Sequence, residues 1–382
     1  MPSTPDRVDV AMENTAFMKS LKPTHIPVLR FAGSHRAFGQ AYGEACRELI
    51  AGHLDLALAR TAAARGWSSA AAIEQALAYR AAIQQHAAFF DDEVQGLAEG
   101  AGLTLGQAYL LQLRAELNPS RAVAQLEDGE CTTFAVDGTT TADAAIYAGQ
   151  VPDLPQAYAG LSVVLEVAIP GKPALLMFTP AGQLSYIGIN SLGLCCFANY
   201  LHCDGWRVAV PRYFLSRIAL TQSTVADALR LLRTVPRASS RNLLMADAGG
   251  HAVDLETTVD DDAEIAPRHG VLAHANHYVS DRLAGSERGS AAFLANSRQR
   301  HARMQQLLEG SRGRLDLAAL QAVMRDRAHA PDCISRAPGD GEADVQSVAA
   351  VLASPTRRCL WVAAGPPHEH AFNEIHFSEG VA

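Results

Sequence analysis

The sequence predicts an α+β layered fold with largely antiparallel sheets, and three observations carry that prediction. Ala, Leu, Glu, Gln and Arg dominate from about residue 37 to 117, a helix-forming composition. From Cys131 the texture changes to short runs rich in Val, Ile, Thr and aromatic residues, broken by Gly, Pro and Asp, which are strand signals. Helical periodicity then returns between further strand-like runs. Strands and helices therefore come in blocks, without the strict alternation of a doubly wound parallel sheet.

In the helical block, breaks are expected at Gly66 and near Gly100. Ser69 can cap a helix running toward Phe90. Thr104 followed by Gln107 is a capping-box pattern that opens another helix, through Leu113 and Leu117 to the stop at Asn118-Pro119. Strands are expected near 132–137, 145–149, 161–169, 174–178, 185–190 and 193–200, with Pro170-Gly171-Lys172-Pro173 as a hairpin turn. Thr224, with Asp227 three residues on, opens a helix to Leu232, and helices follow near 297–308 and 316–324. Further strands are expected near 242–257, 271–276, 347–353, 358–363 and 371–377. Asp128-Gly129-Glu130 falls at the change from helix to strand, where an exposed loop is expected.

With 382 residues, 48% of them hydrophobic and 19% charged, the chain can bury a sizeable core and shows no sign of disorder. A net charge of −8 with scattered Lys and Arg argues against a nucleic-acid surface, which needs a positive field. The apolar run around Leu161 to Ile169 contains Glu166 and falls far short of the roughly 20 residues of a membrane helix. Residues 1–24 lack the apolar centre of a secretory signal. Seven irregularly spaced cysteines do not make a secreted disulfide framework. A cytoplasmic protein with free thiols is expected, with the adjacent Cys195 and Cys196 in the core.

Cys131-Thr132-Thr133-Phe134 begins the first strand directly after the expected loop. A thiol is a weak nucleophile until a base takes its proton. A chain break between Glu130 and Cys131 would supply one, because a new α-amine titrates near ~7.7–8.0 and can serve the thiol of its own residue. One cut would make both nucleophile and base.

The run Asp128-Gly129-Glu130-Cys131-Thr132-Thr133-Phe134 is followed by Gly188-Ile189-Asn190-Ser191-Leu192-Gly193-Leu194 and Asn199-Tyr200-Leu201. Upstream stand Gly39-Gln40-Ala41-Tyr42-Gly43, Gly96-Leu97-Ala98-Glu99-Gly100 and Leu113-Arg114-Ala115-Glu116; downstream stand His274-Ala275-Asn276-His277, Ser297 with Arg300 and Arg303, and Cys333-Ile334-Ser335-Arg336. In order and spacing these resemble the acyl-coenzyme A:6-aminopenicillanic acid acyltransferase family, whose members are self-processing N-terminal-nucleophile hydrolases.

The resemblance implies a four-layer αββα sandwich and a Cys131 nucleophile exposed by cleavage at Glu130-Cys131. Residues 1–130 are expected to stay bound to the strand-rich segment 131–382 as one domain, because the Ala-rich helices cannot bury their apolar faces alone. Asn199 would donate to the tetrahedral oxyanion. Asp153, closing the run Gly149-Gln150-Val151-Pro152-Asp153, would orient the new α-amine. Val151 and Pro152 replace the family's Asn and Trp, and Glu130 replaces its commoner Gly, so Glu130 is expected to make the thiol harder to ionise.

Thr132, Asn190, His277, Ser297 and Arg300 are the candidate substrate contacts. Arg300 and Arg303 share a helical face and could either hold a substrate carboxylate or be solvated. His274 and His277 alone do not make a metal site, and no metal or other cofactor is expected. The implied reaction is hydrolysis of a small acyl-amide, or transfer of its acyl group, through a Cys131 thioester, with an acyl-thioester as a further donor. The rival from another class is a non-catalytic binding scaffold that has kept the sandwich.

Overall fold

The structure, a computed structural model, describes residues 25–117, 130–341 and 344–380. After strand β1 (Val28–Ala32) come the helices α1 (His35–Ala45), α2 (Arg47–Arg65), α3 (Ser69–Leu77), α4 (Arg80–His86), α5 (Ala88–Ala101) and α6 (Leu105–Leu110). Gly66 and Gly102 end α2 and α5 at φ of 66° and 72°, where a side chain is disfavoured. The capping box of Thr104 and Gln107 forms as the sequence predicts. Two expectations are corrected. Ser68, not Ser69, caps α3, its hydroxyl accepting from the Ala71 N–H, and the helix expected toward Phe90 is broken near Ala78 and Ala87. The helix expected to reach Leu117 stops at Leu110, and turns carry the chain onward.

The next group is β2 (Glu130–Val136), β3 (Tyr147–Pro155), β4 (Ser162–Ala168), β5 (Leu175–Pro180), β6 (Ile187–Asn190) and β7 (Cys195–Phe197). Then follow α7 (Arg212–Ala219), α8 (Val225–Leu232), β8 (Arg241–Ala246), β9 (Ala252–Thr257), β10 (Asp262–Ile265) and β11 (Val271–His274). The chain closes with α9 (Ala291–Gly310), α10 (Leu317–Met324), β12 (Val345–Ser347), β13 (Ala350–Ser354), β14 (Cys359–Ala363) and β15 (Phe372–His376). Asn118-Pro119 and Asp128-Gly129 lie outside the described residues. Glu130 is not in an exposed loop: it opens β2 and is only 6% exposed.

The strands form two sheets, ordered β1-β4-β5-β6-β7-β8-β9-β10 and β11-β2-β3-β13-β14-β15, with β12 also on β3. Among the described strands all pairs are antiparallel except β1 with β4. Side-chain alternation makes the layers. In β4, Val163, Leu165 and Val167 pack on the helices, while Val164 points to the other sheet. In β2, Ala135 meets the first sheet, whereas Phe134 and Val136 meet Met304 and Leu308 of α9 and Leu320 of α10. Cys195 and Cys196 likewise face opposite ways. The result is helices α1 to α8, sheet, sheet, then α9 and α10, the αββα order that the resemblance implies.

The quoted glycine runs have a packing reason. Helices α1 and α5 cross at backbone contact: a Cβ on Gly96 would lie 2.1 Å from the Arg36 carbonyl oxygen, and one on Gly100 would lie 1.9 Å from that of Gln40. Only glycine permits so close an approach.

The apolar faces of α1 to α6 are buried on β4 and β5, and β1 is hydrogen-bonded to β4. Cutting the chain before Cys131 therefore leaves a large shared core intact. A cut preparation is expected to migrate as one species in native size-exclusion chromatography. Separation of the two pieces without denaturant would show that the helical part folds as an independent domain. No helix among the described residues is long and apolar enough to cross a membrane.

Candidate active site

Strand parity decides what Cys131 faces. Because Ala135 is an inner residue of β2, Cys131 and Thr133 share the face between the sheets, and Glu130 and Thr132 point to the α9 side. The Cys131 thiol is buried, with Sγ 3.7 Å from the Tyr186 hydroxyl. Across the ladder Pro152 stands opposite Cys131, and Asp153 opposite Glu130. A proline lacks a ladder donor, and here the missing N–H falls on the side where β12 and β13 separate. Val348 donates there to the Pro152 carbonyl at 3.0 Å.

The backbone of Cys131 is gripped on its other edge. Its N–H donates to Asn276 Oδ1 at 2.7 Å, and its carbonyl accepts from Arg300 Nη1 at 2.6 Å. Arg300 also donates to Thr132 Oγ1 at 2.9 Å, Asn276 Oδ1 at 3.0 Å and Asn296 Oδ1 at 2.7 Å. It is fully buried. Asn276 in turn donates to the Tyr200 carbonyl at 3.0 Å. This asparagine, next to the His277 singled out from the sequence, holds the very nitrogen that a cut would turn into an amine. A lone Asn in a strand-end run carries no local mark of that duty.

Burial pushes the Cys131 thiol up from its ordinary value, and the Asp153 charge adds to this against weaker opposition from Tyr186, Gln150 and Arg300. In the continuous chain the thiol is therefore protonated. The neighbouring charge that matters is Asp153. Glu130, on the α9 side of β2, is bound by Arg336. Burial raises the Asp153 carboxyl to about 7 despite Arg336 and Arg300. Its Oδ1 accepts from Ser347 at 2.6 Å, while Oδ2 has no hydrogen-bond partner among the described residues. A group titrating near neutrality is suited to accept or return a proton.

Asn199 is buried and donates through Nδ2 to Thr133 Oγ1 at 2.9 Å, on the inner face that carries Cys131. Its own N–H donates to Asn242 Oδ1 at 2.5 Å. Gln150 fixes the preceding residue, donating to the Ala198 carbonyl and accepting its N–H, both at 2.9 Å. Sheet-to-sheet contacts thus bring Cys131 and Asn199 to one region, while Asp153, across the ladder from Glu130, lies on the α9 side of β3 with its Oδ1 on Ser347.

The five candidate substrate contacts are placed differently, and none lines the cavity at the Cys131 sulfur. Asn190 points to the outer helical layer, donating to the Leu220 and Gln222 carbonyls at 2.9 and 2.6 Å. Thr132 and Arg300 lie on the α9 side, as do Ser297 and His277, whose Oγ and Nδ1 are hydrogen-bonded at 2.7 Å. Ser297 also accepts the Asn276 N–H at 2.7 Å. These four brace Cys131 and Asn276 from behind. Arg303 pairs with Asp326 at 2.6 Å.

His274 is structural. Its two ring nitrogens contact the Ala275 carbonyl at 2.8 Å and Glu256 at 2.7 Å, so both must donate and the ring is an imidazolium. Burial opposes this charge, but Asp254 and Glu256 outweigh it and raise the pKa from 6.5 to about 9. A raised folded pKa gives stability that is complete below about 6.5 and lost as pH rises through about 9. Melting temperature is therefore expected to fall over that window. His274→Gln should melt lower at neutral pH and lose that slope, and an unchanged slope in the variant would exclude His274 as its source.

Away from this region Cys359, Glu374 and His376 bring their ligand atoms within 4.8 Å of one another on β14 and β15. Burial, followed by Glu374, pushes the Cys359 thiol up to about 12. The sequence had marked none of the three.

Comparison with known proteins matches residues 153–369 to the family described as acyl-coenzyme A:6-aminopenicillanic acid acyl-transferase. The match includes Asn199 and begins after Cys131. The 40 kDa form of acyl-coenzyme A:6-aminopenicillanic-acid-acyltransferase from Emericella nidulans is 26% identical over 279 residues, covering 72% of this chain and 75% of its own. A mutant of conjugated bile acid hydrolase from Clostridium perfringens is similar at a TM-score of 0.45 and 11% identity, over 65% of this chain and 97% of its own. Penicillin V acylase from Agrobacterium tumefaciens gives 0.44 and 14%, over 61% and 83%.

Proposed function

Because the chain belongs to the acyl-coenzyme A:6-aminopenicillanic acid acyl-transferase family, we propose that it is a self-processing cysteine amidohydrolase or acyltransferase working through a thioester on Cys131. The observation that carries this reading is the environment of one residue. The buried Cys131 thiol faces the inner cavity while its backbone nitrogen is held by Asn276, with Asp153 titrating near 7 beside it.

In the first step the thiol attacks the Glu130 carbonyl, and the C–N bond breaks as the Cys131 nitrogen takes up the proton. Water then releases residues 1–130 from the thioester. The freed α-amine, hydrogen-bonded to Asn276, becomes the base for the thiol during turnover. In each cycle the thiol attacks an acyl-amide and its proton passes through the α-amine to the leaving amine. Asn199, holding one N–H toward Thr133, offers its second to the oxyanion. Water then frees the acid, or a second amine or thiol carries the acyl group away.

The name of the Emericella nidulans relative supports a small acyl-amide as substrate, with an acyl-thioester as a second donor. A cytoplasmic setting fits the seven free thiols. The test is mass spectrometry of acid-quenched incubations with a panel of acyl-amides. Fragments ending at Glu130 and starting at Cys131, with an acyl mass on the latter, are expected. A chain that stays whole and unacylated would favour the scaffold reading.

A further inference from the structure

Strand β15 is the outer strand of the second sheet, and among the described strands it pairs only with β14. The register sets His376 opposite Cys359 and Glu374 opposite Trp361. Residues two apart on a strand share a face, so Cys359, Glu374 and His376 all stand on the side turned to α9 and α10. His376 Nε2 lies 3.2 Å from Glu374 Oε1, with the two side chains 63% and 47% exposed, whereas Cys359 on the inner strand is fully buried. A thiol, a carboxylate and an imidazole thus meet where the sheet reaches solvent.

Their spacing suits a metal ion. Zinc bonds of about 2.0–2.3 Å in a tetrahedron put neighbouring ligand atoms about 3.3–3.8 Å apart. The His376 and Glu374 atoms already stand at nearly that separation, and all three ligand atoms lie within 4.8 Å of one another. Rotation of the two exposed side chains closes the remaining gap to the sulfur. The thiol is also used unlike others in the chain. Cys195, Cys203 and Cys333 donate to backbone carbonyls at 3.4, 3.2 and 3.2 Å, while Cys359 turns to the Glu374 side chain. A thiol and a carboxylate in contact oppose each other's ionisation, and a divalent cation between them neutralises both. Arg357, the cation that acts on this thiol, is paired with Asp143 at 2.6 Å and leaves the Glu374 carboxylate to the metal.

We infer that Cys359, Glu374 and His376 form a site for a divalent cation of the zinc class, with water in the fourth position, that fastens β15 to β14. Thiolate, imidazole and carboxylate together suit this borderline-soft ion. Thiolate and carboxylate carry two negative charges, which the ion balances, and the Cys359 proton passes to water as the metal–sulfur bond forms. The site is independent of the Cys131 chemistry. Its effect reaches past the sheet edge, because the chain just beyond His376 joins the two sheets: the Ser378 N–H and hydroxyl donate to the two Glu166 oxygens on β4, both at 3.0 Å.

Titration of the untagged, full-length protein with Co²⁺ reads the ligands directly. A sulfur-to-cobalt charge-transfer band and the visible bands of a four-coordinate ion are expected, and Zn²⁺ should displace them. Cys131 is a second thiol that cobalt could reach, so the band is recorded in Cys131→Ala, where it should remain, and in Cys359→Ser, where it should vanish. Cys359 is a core residue, so His376→Gln and Glu374→Gln repeat the test at exposed positions that leave the fold alone. Each should weaken Zn²⁺ binding in calorimetry by roughly 10²-fold or more, since even an outer partner of a metal ligand is worth 10–100-fold. Zn²⁺ should raise the melting temperature of the unaltered protein, and the rise should shrink in His376→Gln. Absence of the cobalt–sulfur band, its persistence in Cys359→Ser, its loss in Cys131→Ala, or unchanged Zn²⁺ affinity in His376→Gln overturns the proposal.

Discussion

Cys131→Ala is expected to accumulate as a single uncut chain of 382 residues with no measurable turnover. The substitution removes one sulfur atom from a site where everything else is held by backbone contacts. Asn276 still accepts the residue 131 N–H, and Arg300 still donates to its carbonyl, so the fold has no reason to change. What is lost is the atom that, in the proposed mechanism, attacks the Glu130 carbonyl and later the substrate. Removing a nucleophile in hydrolases of this logic lowers turnover roughly a million-fold. Cys131→Ser should cut slowly if at all, because a hydroxyl is harder to deprotonate than a thiol in a buried site. Electrophoresis and intact mass read both variants. Cleavage at the same bond in Cys131→Ala would assign processing to another protease, and retained turnover would remove Cys131 from the chemistry.

The layers of the molecule were legible wherever one rule governed a segment. Capping at Thr104 and Thr224 is local chemistry and appears where the side chains put it. The run in β4 reads as a strand because it is apolar on both faces, as a strand between a helical layer and a second sheet must be. Glu166 within it is explained only by the structure, where Arg30 and Ser378 engage it. Where tertiary contacts overrule local pattern, the sequence misleads. α7 begins after Pro211 and carries Arg212 and Arg217 into the interior, so it shows no ordinary polar face. Arg217 is bound there by Glu93, 124 residues away.

The same holds for the site. Cys131 was found through a resemblance spread over the chain, since a thiol at a strand start says little alone. Asn276, just after β11, reaches Cys131 on β2 from 145 residues away, and no spacing connects them. Conversely, Asn190 and Arg300 looked like ligands because Asn and Arg have binding chemistry. The fold uses that chemistry to secure the Leu220 and Gln222 carbonyls and the Cys131 carbonyl.

Replacing Asn199 by Ala in processed protein is expected to lower kcat by roughly 10²–10³-fold, about 2.7–4 kcal/mol of transition-state stabilisation, with a much smaller change in KM. The tetrahedral oxygen gains nearly a full charge in a cavity that excludes bulk water, and the Asn199 amide is held ready by the sheet behind it. Its backbone N–H is fixed by Asn242, and its neighbour Ala198 is clamped by Gln150. The amide also has a structural duty, donating to Thr133 Oγ1, so the variant should lose about 1 kcal/mol of stability as well. The two effects separate when kcat and melting temperature are measured on one preparation. Self-cleavage uses a different carbonyl and should slow without stopping, which allows the cut form of the variant to be isolated first. If Asn199 only braces β2, the melting temperature drops while turnover per folded molecule stays normal, and that outcome would end its assignment as the oxyanion donor.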